Sequence, residues 1–124
     1  DTEIIIRKYG IPDAHSEESI REAVRLGGAV AERDVRGRSD FRQLQTVTID
    51  GEHARDFDDA ITIESLPNGH FWLGVHIADV SHYVKEGSAL DREAYERGTS
   101  VYFPERAVHM FPSELATGLC SLNP

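Results

Sequence analysis

Four aspartates fall within ten residues of this chain: Asp50, Asp56, Asp58 and Asp59, in the stretch Thr48-Ile-Asp-Gly-Glu-His-Ala-Arg-Asp-Phe-Asp-Asp-Ala-Ile61. At an effective dielectric near 20, two carboxylates about 4 Å apart repel by roughly 4 kcal/mol. A converging set therefore splays apart, takes up protons or binds a cation. A hard divalent ion such as Mg²⁺ favours carboxylate and water oxygens and removes the repulsion. An EF-hand does not fit, because the acids do not alternate as that loop requires and no glycine stands at its sixth position. Spacing alone leaves two readings open, a solvated acidic loop and a cation site, and it favours the loop.

The flanking residues say what must hold these acids. Val47 and Ile49 precede them, and Ile61 and Ile63 follow. Strands are predicted at Thr46–Asp50 and Ala60–Ser65, so the acids lie in a connection at the edge of a core. Pro67-Asn-Gly69 is a turn signal, and Phe71–Asp79 reads as a third strand, pairing with 60–65 as an antiparallel hairpin. In that third strand Trp72, Gly74, His76 and Ala78 share one face, and Phe71, Leu73, Val75 and Ile77 the other. Both faces are largely apolar, which predicts a central strand covered on both sides. His76, Asp79 and His82 lie close together, but a zinc site needs further ligands at proper spacing. Each histidine is read as a satisfied polar group near a strand end.

Upstream, the Ile4-Ile5-Ile6 run leaves strand and helix both open for residues 2–6. Ser16 is an N-cap candidate, with Glu17 and Glu18 in the first turn, and a helix is predicted over 16–33. Ile20, Val24 and Ala31 would share one face of it, with Gly27-Gly28 weakening its middle. Arg33, Arg36, Arg38 and Arg42, interleaved with Asp34 and Asp40, read as an exposed connector rather than a phosphate-binding patch. Downstream, Ser88 caps a helix that runs to Arg97 and stops at Gly98. Val101-Tyr102-Phe103 is a short extended segment, and Ser113–Leu119 a last helix.

The chain has 124 residues, 40% apolar and 28% charged, enough for one modest core. Net charge is −9, and residues 44–64 hold six acids against one base, so more than half of it lies around the aspartates. An acidic chain is a poor generic binder of nucleic acid, because phosphate contacts need Lys and Arg. A polyanion would have to be met through a bound metal or through protein outside this stretch. The lone Cys120 suits a reducing cytoplasm and, beside Leu119, reads as a buried structural thiol. No run of 18 apolar residues occurs and no basic-then-apolar leader opens the chain, so neither membrane span nor signal peptide is expected. The start at Asp1 and the stop at Pro124 are expected to be those of a piece of a longer protein.

Three stretches, in order and at matching spacing, carry a family resemblance across about 44–124. Thr48–Ile61 resembles the signature of the catalytic (RNB) domain of the ribonuclease II/ribonuclease R family. His76-Ile-Ala-Asp-Val-Ser-His-Tyr-Val84 is similar to the segment that follows it. Arg97-Gly-Thr-Ser-Val-Tyr-Phe-Pro104, with Phe111-Pro and Leu119-Cys-Ser-Leu-Asn-Pro124, is similar to the next, in forms nearer to the ribonuclease R branch. Residues 1–43, with one helix, resemble the lead-in to that domain, and 44–124 its N-terminal part.

The resemblance implies an α+β fold, a mostly antiparallel sheet with packed helices. It implies an Mg²⁺-dependent, processive 3′→5′ exoribonuclease that releases nucleoside 5′-monophosphates, with Mn²⁺ as a substitute ion. Asp50 and Asp59 would be metal ligands, Asp56 a supporting acid of the same site, and Asp58 the acid most critical to the chemical step. Tyr102 would stack on the base at the 3′ end of single-stranded RNA. The family's arginine clamp, its second gripping aromatic and its cold-shock and S1 domains lie outside this stretch, so the fragment alone is expected to be inactive. Three rivals stay open: a silent metal- or RNA-binding fragment, an unrelated two-metal phosphodiesterase, and a structural domain with an acidic loop.

Overall fold

The computed structural model describes residues 1–123. Helices α1 (Thr2–Tyr9), α2 (Glu17–Leu26) and α3 (Glu32–Val35) come first. Strands β1 (Thr46–Val47), β2 (Asp59–Ser65) and β3 (Phe71–Ile77) follow, then α4 (Val80–Tyr83) and α5 (Ala89–Arg97). A small hairpin of β4 (Val101–Tyr102) and β5 (Ala107–Val108) leads to a π-helical turn, Leu115–Leu119. The architecture is α+β with antiparallel sheets, as expected. No helix among the described residues is long and apolar enough to cross a membrane.

Local chemistry sets most helix ends. The Ser16 hydroxyl accepts the Ser19 N–H at 3.2 Å, and the Ser88 hydroxyl accepts the Asp91 N–H at 3.1 Å. Gly98, at φ 73°, ends α5 in the left-handed conformation and donates to Ala94. The isoleucine run resolves as helix, with Asp1 capping α1 and only Ile6 of it buried.

The long helix expected over 16–33 is two. Gly27, at φ 96°, ends α2 where a helix cannot continue, and Asp34 restarts it by accepting the Ala31 N–H at 2.8 Å. The lead-in thus holds three helices, where one was expected. The predicted buried face of α2 also moves. Ser19 and Ala23 are buried, while Val24 is 59% exposed. Small residues let α5 approach closely, with the Ser19 hydroxyl oxygen 3.2 Å from the Ala89 carbonyl oxygen. Ala23, Leu90, Leu115 and Cys120 form the core, with Phe111, Tyr83 and Val84 against it. The last helix lies where expected but is π-type, its Cys120 N–H donating to the Leu115 carbonyl at 2.9 Å. Burial pushes the Cys120 thiol up to about 11, as suits a structural cysteine.

The large sheet has the order β1-β2-β3, all antiparallel, and the hairpin aligns Thr62 with Gly74 and Ala60 with His76. One face is packed: Ala60 and Thr62 are buried, and Thr62 bonds both Thr46 (2.7 Å) and His76 Nε2 (2.9 Å). The other face is not covered. Phe71, Leu73, Val75 and Ile77 are 58–66% exposed, so β3 is an edge strand with one bare apolar face, not a central strand. Apolar alternation on both sides reports what a strand can bury, and no second layer lies over that face among the described residues.

Candidate metal centre

The acid loop is irregular but tied down from two sides. Phe57 N–H donates to the Ser121 hydroxyl at 2.9 Å, which donates to the Arg55 carbonyl at 3.0 Å. Leu122 N–H donates to the Phe57 carbonyl at 2.8 Å, and Ala78 N–H to the Asp58 carbonyl at 3.0 Å. Asp59 is the first residue of β2, opposite Ile77. Backbone bonds from the far end of the chain and from the end of β3 therefore hold residues 55–59. Asp50 stands on the other side of the Gly51–Ala54 turn and is exposed.

The four carboxylates are close enough to act on one another. Burial, and then the charges of Asp56, Asp59 and Asp50 in that order, raise the Asp58 carboxyl above its ordinary value. The charges of the other three predicted acids thus all reach Asp58. Among the described residues, however, no three His, Cys, Asp or Glu side chains close into a preformed cation cage. In donor type the set suits a hard cation such as Mg²⁺, which keeps several waters and completes its shell with substrate phosphate oxygens.

Tyr102 comes to the same place from β4. Its hydroxyl donates to Asp56 Oδ2, and that bond, with some burial, pushes the phenol up to about 12. The ring itself is left accessible, the residue being 61% exposed. His109, just after β5, stands behind both. Its Nδ1 is 3.7 Å from Asp56 Oδ2, and its ring meets that of Tyr102 edge-on at 6.3 Å and 87°. Sequence reasoning singled out neither His109 nor Ser121. Ser121 lay within a quoted motif, while His109 had no spacing relation to the acids that would mark it.

The other chemistry-bearing groups are internally paired. His76 bonds Thr62, His82 Nε2 bonds Asp34 at 3.0 Å, and Asp79 takes Arg38 at 2.6 Å. This is the satisfied reading of those histidines. Arg38, Arg42 and Arg33 each face a carboxylate (Asp79, Asp40 and Asp34), which fits a connector rather than a phosphate patch. A cavity of about 770 Å³ opens between residues 35–48 and the packed sheet face, lined by Phe41, Val47, Phe57, Ala60, His76 and Leu122.

Known proteins are similar to this chain in sequence and in fold. Ribonuclease R of Thermotoga maritima is 55% identical over 124 residues, which is 98% of this chain and 18% of that protein. Ribonuclease R of Vibrio parahaemolyticus is 52% identical over the whole chain and 15% of its own length. The chain thus spans less than a fifth of these relatives. Two solved structures superpose on it at 36% identity, both of Mycoplasma genitalium RNase R. One, with ribose-methylated single-stranded RNA, has a TM-score of 0.85 and covers 97% of this chain and 19% of that one. The other, with double-stranded RNA, has a TM-score of 0.86 and covers 97% and 21%. The model of the RNB domain matches residues 38–124, the span that holds the acid loop, the Ser121 staple and Tyr102, and the chain belongs to the RNB domain family.

Proposed function

We propose that this chain carries the metal end of the active site of a 3′→5′ exoribonuclease that shortens RNA hydrolytically and processively, releasing nucleoside 5′-monophosphates. The observation that carries the reading is an acid loop in which burial and then the charges of Asp56, Asp59 and Asp50 raise the Asp58 carboxyl, with Tyr102 bonded to Asp56 and its ring exposed alongside. In this reading Asp50 and Asp59 hold a Mg²⁺ ion, Asp56 supports the same site, and Asp58 is the acid on which the chemical step depends most. Mn²⁺ can take the same place. A bound Mg²⁺ supplies Lewis-acid charge at the reacting phosphoryl group and lowers the pKa of a bound water. The carboxylates fix where that charge stands. The Tyr102 face accepts the terminal base by stacking, which is worth about 1–3 kcal/mol and does not depend on base identity. With net charge −9, this chain does not itself supply the cations that track an RNA backbone. The partners in this reading are the 3′ end of single-stranded RNA, the rest of the catalytic domain and flanking cold-shock and S1 domains.

The test is Asp58→Asn in the longer protein. Turnover on a labelled oligoribonucleotide should fall by orders of magnitude, while RNA affinity stays within a few-fold, because affinity is spread over phosphate contacts and stacking. Equal loss of both would make Asp58 a binding or folding residue. The absence of a closed three-ligand cage among the described residues favours a second statement: the 124-residue chain alone cleaves no RNA. A ladder shortened from the 3′ end by the isolated chain would contradict it.

A further inference from the structure

His109 Nδ1 is a buried polar atom with no hydrogen-bond partner. Leaving such an atom unpaired costs about 1–3 kcal/mol. Its nearest charged neighbour is Asp56 Oδ2, at 3.7 Å, the oxygen that already accepts the Tyr102 hydroxyl. A carboxylate oxygen has two lone pairs, so Oδ2 has room for a second donor. A neutral imidazole carries its proton on one nitrogen only. With the proton on Nε2, the Nδ1 lone pair would face a carboxylate lone pair inside a partly buried pocket. With the proton on Nδ1, the same geometry becomes attractive, and a small closing movement makes a hydrogen bond.

We propose that His109 is a positioning residue of the acid site: as its Nδ1–H tautomer it clamps Asp56 Oδ2 from behind, beside the Tyr102 hydroxyl. The inference rests on the roles given above to Asp56 and Tyr102. It adds a reason for the edge-on contact between the two rings. If stacking a terminal base were to draw the Tyr102 hydroxyl off Asp56, that carboxylate would lose this donor. His109 then remains as the donor that keeps the carboxylate oriented, so gripping the RNA end does not disorder the acid. Asp56 Oδ1 is left free of both donors and available to a cation.

The experiment uses the 124-residue chain with ¹⁵N-labelled histidine and neither RNA nor metal. Long-range ¹H–¹⁵N spectra at a pH where the ring is neutral report which nitrogen carries the proton. The expected result is Nδ1–H for His109 in the wild type, with a shift toward the Nε2–H form in Asp56→Ala. A wild-type ring that is Nε2–H and insensitive to Asp56→Ala overturns the proposal. A second arm compares His109→Leu with His109→Asn, whose amide places a donor near the Nδ1 position, by Mn²⁺ relaxation titration. Loss of a hydrogen-bonded neighbour of a ligand typically weakens metal affinity about tenfold or more. The Leu variant should show that loss and the Asn variant should recover most of it, at melting temperatures that match each other. Equal affinity in Leu, Asn and wild type overturns the proposal. If wild type binds no Mn²⁺ at all, the metal reading fails instead, and the tautomer spectrum still decides the case for His109.

Discussion

Glu93 on α5 and Asp58 in the acid loop have surroundings that drive their carboxyl groups in opposite directions. Burial works to raise Glu93, but hydrogen bonds from the Ser16 and Ser19 hydroxyls, the Ser16 N–H and His15 hold it at about 2. Those contacts are short: 2.7 Å from Ser16 Oγ, 2.6 Å from Ser19 Oγ and 2.7 Å to His15 Nδ1. Arg97 adds two more at 3.1 and 3.2 Å and gives two further donors to the Pro12 and Ala14 carbonyls. Asp58 has the reverse surroundings, burial and three like charges. Every donor around Glu93 comes from residues that tie the lead-in to α5, so that carboxylate serves the fold. At Asp58 only the charge of His109 works against the rise, and the rise prevails, which is what a site prepared for an outside cation needs.

The sharpest way to break this comparison is at Arg97, whose side chain is only 4% exposed. Arg97→Met leaves Glu93 without its cation and two backbone carbonyls without a donor. Removing one partner of a buried pair costs about 3–5 kcal/mol. Urea unfolding should show a midpoint well below wild type; an unchanged midpoint would mean that α2 and α5 are held by apolar packing alone.

Acid unfolding probes the same contrast with a smaller effect. Glu93 is depressed from 4.5 to about 2, so its contribution to stability is complete above pH 4.5 and is lost as pH falls toward 2. A shift of that size corresponds to roughly 3 kcal/mol, the side chain being mostly buried. Glu93→Gln should flatten the stability profile between those two pH values. If the variant keeps the wild-type acid slope, other carboxylates carry the acid sensitivity and Glu93 is not the counterpart of Asp58.

The smallest effect has the opposite sign. A raised carboxyl means that the folded state binds its proton more tightly than the unfolded chain does, so Asp58 costs stability as pH rises. In a chelator at neutral pH, Asp58→Asn should raise stability slightly, by about 0.5 kcal/mol or less, the scale of a surface substitution, and so raise the melting temperature a little. The gain should fade as pH falls and the wild-type carboxyl becomes neutral. A lower melting temperature would show that Asp58 holds the loop together rather than straining it.

Much of the fold was legible because the determinants are local. Ser16 and Ser88 cap the next turn of chain with their own hydroxyls, and Gly98 takes a positive φ at low cost. The hairpin from Asp59 to Ile77 follows from alternation around Pro67-Asn-Gly69. Where two local readings competed, the tertiary structure chose: Gly27 ended a helix that Ala31 seemed to extend, and Ser19 and Ala23, not Val24, met α5. The exposed face of β3 shows the converse limit. An apolar pattern states a capacity for burial, and only the presence of a second layer turns that capacity into a covered strand.

The site divides along the same line. Asp56, Asp58 and Asp59 lie within four residues and Asp50 six before them, so the sequence by itself determined that acidic charge is concentrated in this one connection, while leaving open whether the loop is merely solvated or meets a cation. Which of them the fold would strain was not in their spacing. Asp58 is raised because partial burial and the charges of Asp56, Asp59 and Asp50 all favour its neutral form, with His109 working against them. Tyr102 and His109 reach Asp56, and Ser121 reaches Arg55 and Phe57, only after the β4–β5 hairpin and the last helical turn have packed back over the loop. Propensities and caps act over about one helical turn of sequence, whereas these contacts depend on closing long loops, whose cost is met by the core around Leu90 and Leu115. That core, assembled from residues far apart in the chain, decided which side chains stand behind the acids.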